Sequence, residues 1–255
     1  MFNYKVSEVR RMVLAGLLLA LTIIFTRFLS IQYIPGIPFT RISLGPCMII
    51  FASLLLGPIY GGAVGGLSDL FGILMVPNAQ GYSINPLITV CYTLLGIVPW
   101  LVYKLVLKIK SERVEYIALI SVLFAFTIFV TIVTLTIYQD LKLWVKLVII
   151  IGSSVISVAS VFLVPLINRF FKKKDSTIKV YKIGFTSAIV EFVVLFLLNS
   201  FAKAYYFQTD VLFIMFCQGV AFFINILLDT FLISYLIFIL KRMSHIDDGE
   251  TNEKE

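Results

Sequence analysis

Long apolar runs alternate with short polar or basic segments along the whole chain. The runs are continuous and about 20 residues long, which is the length that an α-helix needs to cross a bilayer. A membrane β-barrel would instead show shorter segments in which apolar and polar residues alternate. Helices are predicted over residues 12–29, 42–56, 59–76, 84–108, 116–138, 143–170, 178–202 and 211–240. The predicted fold class is therefore all-α, a polytopic helical membrane protein with about eight transmembrane helices.

The composition supports a membrane protein. Hydrophobic residues make up 60% of the chain and charged residues 14%, and the mean hydropathy is +1.02. Soluble domains have roughly 45–50% apolar and about 25% charged residues. Residues 1–240 are predicted to form a single transmembrane domain, and the polar residues 241–255 a disordered cytoplasmic tail.

The net charge of +7 comes from basic residues that flank the apolar runs. This placement argues against a nucleic-acid-binding surface. Basic residues collect before the first helix, after the fourth, between the sixth and seventh, and after the eighth. Since cytoplasmic loops are enriched in Lys and Arg, both termini are predicted to face the cytoplasm.

The residue types that most enzymes need are scarce. The sole histidine, His245, lies in the polar tail, which leaves no imidazole inside the membrane for zinc binding or for a Ser-His pair. Cys47, Cys91 and Cys217 lie in apolar runs without CxxC spacing and are expected to pack as small hydrophobic residues. The chain lacks a G-x-x-x-x-G-K-[ST] motif. No catalytic residue, metal site, cofactor or ATPase activity is predicted.

Glycines crowd the predicted third helix. Five of them have helical spacing: Gly57, Gly61 and Gly65 on one face, and Gly62 and Gly66 on the next. This small-residue spacing allows membrane helices to approach closely. Asp69 lies in the same helix, and an ionisable group at membrane depth requires a partner, a ligand or water. Both a structural pairing and a ligand contact are therefore open for Asp69.

Three polar segments, residues 30–41, 77–83 and 203–210, are predicted to emerge on the external side. Their aromatic rings offer stacking surfaces, their amides offer paired donors and acceptors, and their basic groups can pair with carboxylate or phosphate. The same residue types also anchor helices at a membrane interface, so this second interpretation stays open. The predicted substrate-binding residues are Gln32, Tyr33, Phe39, Arg41, Asp69, Asn78, Gln80, Tyr82, Asn85, Lys203 and Tyr206.

The last two predicted helices carry further polar groups, Glu191, Asn199, Asn225 and Asp229. Asn225 and Asp229 are four residues apart and share a helix face. Because all four groups lie deep in apolar sequence, we expect them to form interhelical hydrogen bonds first and ligand contacts second.

Motifs in the first half of the chain resemble the substrate-binding S components of energy-coupling factor (ECF) vitamin transporters, in particular the folate-type branch. They are the runs RISLG from Arg41 and LGPIYGGAVG from Leu56, followed by LSD ending at Asp69, a proline-containing turn and Thr89. Two features depart from that pattern. Residues 84–89 replace the Phe-Pro-Gly-Phe-Thr-like run of folate-type members, and the chain is longer than a six-helix protein.

The resemblance implies a subunit in a bacterial cell membrane that binds a folate, pterin or other vitamin-like molecule from outside. Its implied partners are a transmembrane coupling subunit and two ATPase subunits, which would supply the energy. Ala15, Gly16 and Ala20 in the first helix resemble the family's Ala-xxx-Ala docking motif. Residues 114–171 would then be a helical hairpin inserted into the six-helix core.

Two other functions remain open from the sequence. One is a membrane scaffold of the cell-shape type, which keeps the S-component architecture without binding a ligand. The other is an intramembrane hydrolase that uses Asp69 and Asp229. The absence of a membrane histidine argues against hydrolysis but does not address an aspartyl mechanism.

Overall fold

The computed structural model describes residues 7–31, 42–75, 85–109, 111–136, 143–175 and 178–252. These residues are almost entirely helical, which confirms the predicted all-α class. The helices are α1 Glu8–Arg27, α2 Gly45–Leu56, α3 Pro58–Met75, α4 Pro86–Val106, α5 Glu112–Thr136, α6 Leu143–Lys174, α7 Val180–Val190, a π-helical segment Glu191–Leu198, α8 Asn199–Phe207 and α9 Val211–Asn252. Extended pairing in the described ranges is limited to a bridge between Ile31 and Ile42.

Seven helical rods in the described part of the chain are long and apolar enough to cross a membrane. The second predicted helix, over residues 42–56, corresponds to α2, which has only 12 residues and is shorter than predicted. Pro46 lies in its first turn, and Gly57 ends it with a φ of 99°, a left-handed value that favours glycine. Nearly all of α2 is buried by other helices, so it forms a central element of the core.

The predicted seventh helix is one continuous rod, Val180–Phe207, in which α7 and α8 flank the π-helical segment. A π-helix is wider than an α-helix, and such segments frequently occur at functional sites. The last helix also differs from its prediction. It continues to Asn252, beyond the expected end near residue 240. The cytoplasmic location of residues 241–255 remains a prediction.

Two connected cores organise the packing. Helices α1 to α4 pack against one another, and α2 and α4 also contact the rod Val180–Phe207 or α9. Helices α5 and α6 pack on α7 and α9 over a second core, in which the ring centroids of Phe126 and Phe196 lie 4.6 Å apart. The α5–α6 pair therefore lies to one side of α7 and α9, away from α1–α3. Its origin as an inserted hairpin remains a prediction.

The glycine face of α3 packs against α4 almost backbone to backbone. A Cβ atom at Gly61 would collide with the carbonyl oxygen of Gly96, and one at Gly65 would collide with that of Tyr92. Gly62 and Gly66 likewise face α4, against Ile97 and Thr93. The close helix approach predicted from the glycine spacing is confirmed.

A buried ion pair stabilises the C-terminal end of α4. Lys182 Nζ lies 3.1 Å from Glu115 Oε1, and the two side chains are 5% and 3% exposed. The same ammonium donates hydrogen bonds to the carbonyl oxygens of Val106, Leu107 and Ile109, at 3.2, 3.3 and 2.6 Å. Because these carbonyls lie at the end of α4 and just beyond it, Lys182 joins α4, α5 and α7.

Replacing Gly65 by valine should destabilise the protein, because the added side chain has no room between α3 and α4. Overpacking of this kind costs about 1–3 kcal/mol or more. Gly152→Val is the matched control, since no atom lies within 4 Å of a Cβ at Gly152. Thermal unfolding of both purified variants should show a lower midpoint for Gly65→Val alone. Equal midpoints would contradict the close contact.

Candidate functional site

Three helices meet at an ion-pair network, named here the Asp69 network, which consists of Arg27, Asp69 and Thr89. Thr89 Oγ1 donates a 2.8 Å hydrogen bond to Asp69 Oδ2. Arg27 Nη2 lies 3.9 Å from Asp69 Oδ1 and 3.5 Å from the Asp69 carbonyl oxygen. The Arg27 and Asp69 side chains are only 3% and 7% exposed. The network ties the end of α1 to α3 and to the first turn of α4.

Local sequence makes room for this network. A Cβ at Gly72 would lie 2.6 Å from Arg27 Nε, so the glycine face of α3 also admits the guanidinium group. Asn85 caps α4, and its Oδ1 accepts a 2.9 Å hydrogen bond from the Leu87 amide. These contacts give Asp69 and Asn85 structural partners. The geometry shows a pairing for Asp69, and its contact with a ligand stays a prediction.

A cavity of about 50 Å³ lies nearby, between the start of α2, α4, the π-helical segment, α8 and α9. Phe196 and Phe222 line part of it, with ring centroids 6.2 Å apart. Its polar lining consists of Ser43, Tyr92, Glu191, Asn199, Lys203, Gln218 and Asn225. The Asp69 network and the cavity lie towards the same end of the bundle. This follows because Arg27 is near the end of α1, Ser43 precedes α2 and Lys203 is near the end of α8.

Lys203 and Gln218 connect α8 to α9 beside the cavity. With its amide oriented so that both atoms are paired, Gln218 donates to the Leu195 carbonyl oxygen at 2.6 Å. Its amide oxygen then accepts a hydrogen bond from Lys203 Nζ at 3.2 Å. A cationic group therefore lines the cavity and is held there by a neutral amide.

The rod Val180–Phe207 and α9 carry a set of buried side-chain oxygens, named here the acceptor cluster. Its atoms are buried and have no hydrogen-bond partner among the described residues: Ser187 Oγ, Glu191 Oε1, Asn199 Oδ1, Ser200 Oγ, Asn225 Oδ1 and Asp229 Oδ2. Glu191 and Asp229 nevertheless lie within hydrogen-bond reach of each other, so a proton on one of the two carboxyl groups would pair them. Buried polar groups normally have partners, so this cluster marks a place where a ligand or water can bind.

The predicted substrate-binding residues that the structure describes do not lie at one site. Lys203 lines the cavity, whereas Asp69 and Asn85 belong to the structural contacts described above. Tyr206 packs against Phe207, with ring centroids 4.9 Å apart. The other seven predicted substrate-binding residues lie outside the described residues: Gln32, Tyr33, Phe39, Arg41, Asn78, Gln80 and Tyr82.

Several cavity residues were not predicted from the sequence. Gln218 carried a usable signal, because an amide inside an apolar helix is uncommon and often functional. Ser43 and Tyr92 gave no such signal, since both residue types are ordinary in membrane helices. Glu191, Asn199 and Asn225 were expected to bond between helices first and to contact a ligand second. All three line the cavity, and Glu191 also lies beside Asp229 of α9.

The predicted docking patch lies mostly on the outer face of α1. Gly16 and Ala20 are exposed, and no atom lies within 4 Å of a Cβ built at Gly16. Ala15 is half-buried and packs against the core. The exposed side chains of Val13 and Leu17, at 64% and 55%, lie beside the small residues. This face is available to lipid or to a partner.

Comparison with known proteins identifies related sequences. The family described as "ECF transporter, substrate-specific component" matches residues 10–167. The folate transporter FolT of Clostridium novyi (strain NT) is 35% identical over 72 residues. This alignment covers 28% of the chain and 40% of that protein, so the chain matches less than half of the relative's length. No solved structure matches the chain.

Asp69→Asn should lower stability strongly, because it leaves the buried Arg27 guanidinium without its carboxylate. Breaking a buried pair in this way costs about 3–5 kcal/mol. Glu112→Gln is the control, because Glu112 forms an exposed pair with Lys172 at 3.0 Å, and such pairs contribute about 0–1 kcal/mol. Unfolding of both variants in the same detergent measures the difference. Equally small losses of stability in the two variants would contradict a buried Asp69 network.

Proposed function

Because the chain belongs to the family of ECF transporter substrate-specific components, we propose that it captures a vitamin-like small molecule from outside the cell. A folate or pterin-like compound is the first candidate, supported by the partial similarity to FolT. The family is a transporter component in the membrane and not an enzyme family. We also propose that the cavity lies near the external side of the membrane and that the vitamin enters it from there.

The observation that carries the proposal is the cavity beside the acceptor cluster. A membrane scaffold has no need for buried oxygens without partners, whereas a binding site leaves hydrogen-bonding groups for its ligand. The cavity joins aromatic rings, amides and the cationic group of Lys203 in one place. This combination favours ligand capture over a scaffold role.

The size of the cavity limits what it can hold in this conformation. Small-molecule sites usually measure roughly 300–1,000 Å³, against about 50 Å³ here. We infer that the cavity receives one edge of the ligand and that the site widens when the whole ligand binds. In this proposal the predicted residues in 32–41 and 78–82, including Arg41, supply the remaining wall.

An aspartyl hydrolase is not favoured. Asp69 in α3 contacts Arg27 and Thr89. Asp229 in α9 contacts Glu191 of the π-helical segment instead. The two aspartates are thus in different clusters with different partners. An aspartyl mechanism would need both carboxyl groups on one reacting water.

The proposed transport cycle depends on other subunits. A transmembrane coupling subunit would contact α1 through Gly16 and Ala20, and two ATPase subunits would supply the energy. The proposed orientation has both termini in the cytoplasm of a bacterial cell and the cavity near the external face. The exposure of Gly16 and Ala20 supports this docking face.

Equilibrium binding of a vitamin panel to the purified chain tests ligand capture. Folate should bind, and Lys203→Ala should weaken its affinity about thirtyfold or more, since losing one partner of a buried charge pair costs 2–5 kcal/mol. Lys172→Ala is the control, because Lys172 is exposed and lines no part of this cavity. Failure of every vitamin to bind would overturn the proposal. Unchanged affinity in Lys203→Ala would remove Lys203 from the site.

Gly16→Leu tests the docking face. A large side chain at a close helix contact should block the coupling subunit and reduce vitamin uptake, while binding to the isolated chain stays unchanged. Gly152→Leu provides the control, since Gly152 is equally open but lies on α6. Uptake assays with co-expressed partners and binding assays on each purified variant give the two readouts. Normal assembly and uptake by Gly16→Leu would place docking elsewhere.

A further inference from the structure

A cavity of about 380 Å³, named here the α7 cavity, lies at the end of α4 that is far from the Asp69 network. Residues at the end of α4, the start of α5, the end of α6 and the start of α7 line it. Its volume falls within the roughly 300–1,000 Å³ of small-molecule sites. We propose that the α7 cavity binds the phosphate group of an anionic ligand, either a lipid headgroup or a soluble phosphate. This inference is independent of the proposed vitamin capture, because the two cavities share no lining residue.

The balance of charges in the cavity is the first argument. Three lysines and two glutamates line it. Glu115 lies 3.1 Å from Lys182, and these two charges pair with each other. Glu112 and Lys172 form a second pair at 3.0 Å. The fifth group, Lys179, is exposed, and its side chain has no ion-pair or hydrogen-bond partner among the described residues. One unpaired positive charge therefore remains, which favours an anion.

The start of α7 is the second argument. Val180 and Tyr181, the first two residues of this helix, line the cavity. The described backbone hydrogen bonds of α7 begin with the Ile183 amide, which donates to the Lys179 carbonyl oxygen at 3.2 Å, and the Lys179 side chain does not cap the helix. The amides that precede Ile183 have no acceptor within the helix. Together with the helix dipole, they favour an anionic oxygen.

A buried amide supplies the third argument. Asn168, in the second half of α6, lines the cavity and is only 9% exposed. Its side chain has no hydrogen-bond partner in the part of the chain that the structure describes. Buried amides normally have partners, and the Asn168 amide nitrogen can donate to a phosphate oxygen. Lys179, the first turn of α7 and Asn168 thus offer donors from two helices to one anion.

The position of the α7 cavity favours a lipid headgroup as the source of the phosphate. The four helices that form it are long and apolar enough to cross a membrane, and each begins or ends there. Headgroups lie at the ends of membrane-spanning helices, and basic pockets between such helices bind anionic headgroups. Ile109 and Ile178 line the same cavity and suit the apolar part of a lipid. In the predicted orientation, this end of the bundle faces the cytoplasm.

Short-chain phosphatidylglycerol and phosphatidylcholine, titrated onto the full-length purified chain in a neutral detergent, test the inference. Phosphatidylglycerol, which is anionic, should bind at least about fivefold more tightly than the zwitterionic lipid, since one lysine near a lipid surface contributes about that factor. Lys179→Gln should remove this preference. Lys173→Gln is the matched control and should preserve it, because Lys173 is exposed at the end of α6 but does not line the cavity.

Thermal unfolding of the same variants without lipid separates binding from folding. Lys179→Gln should unfold at the wild-type midpoint, because the Lys179 side chain has no partner to lose. Asn168→Ala removes the amide donor and should also weaken phosphatidylglycerol binding. If Asn168→Ala lowers the midpoint, Asn168→Asp is measured instead. This variant keeps the size of the side chain but places a carboxylate against the phosphate, so it should weaken binding at least as strongly.

Sodium phosphate, compared with sodium chloride at equal ionic strength, identifies the source of the phosphate group. Thermal stabilisation by sodium phosphate that is lost in Lys179→Gln supports a soluble ligand, whereas stabilisation by phosphatidylglycerol alone supports a lipid. Equal losses of binding in Lys179→Gln and Lys173→Gln would overturn the inference in favour of a diffuse basic surface. Equal binding of the two lipids, with no effect of sodium phosphate, would also overturn it. Folate binding, measured in parallel, decides the vitamin proposal separately.

Discussion

The contact between α3 and α4 is the constraint on which the rest of the structure depends. Helices in a bilayer gain little from burying apolar surface, so their association relies on close packing and on polar contacts. Glycines at positions 61, 65 and 96 remove the side chains that would hold the two backbones apart. The resulting approach brings Thr89 within reach of Asp69, and Gly72 leaves space for Arg27. One packing contact thus makes a buried ion pair possible.

The rod Val180–Phe207 shows how the protein treats polar groups in two different ways. At one end, Lys182 is buried and satisfied by Glu115 and three carbonyl oxygens, which is the pattern of a structural contact. From Ser187 to Ser200, buried oxygens lack partners in the described structure. Leaving such groups unsatisfied disfavours folding, so a ligand or ordered water at these oxygens would stabilise the protein. This contrast locates the candidate site more sharply than any single residue does.

Most of the fold could be predicted from the sequence because its signals are local. Uninterrupted apolar runs predicted the helices, and the glycine spacing in α3 predicted a close contact without naming α4 as the partner. Two helix boundaries differ from their predictions. The α2 helix begins only at Gly45, with Pro46 in its first turn, and α9 continues past residue 240 to Asn252. The π-helical segment has no recognisable local signal in this chain.

The sequence by itself determined that polar groups lie deep in the last helices and that Asp69 needs a partner, because the hydrophobic environment makes such groups conspicuous. It could not determine which helices face one another. Only the tertiary structure decided that Asp69 pairs with Arg27, that Gln218 contacts Lys203, and that Glu191, Asn199 and Asn225 line one cavity. The reason is physical: side-chain periodicity fixes the face of a helix on which a group lies, whereas its partner depends on packing between segments far apart in the chain.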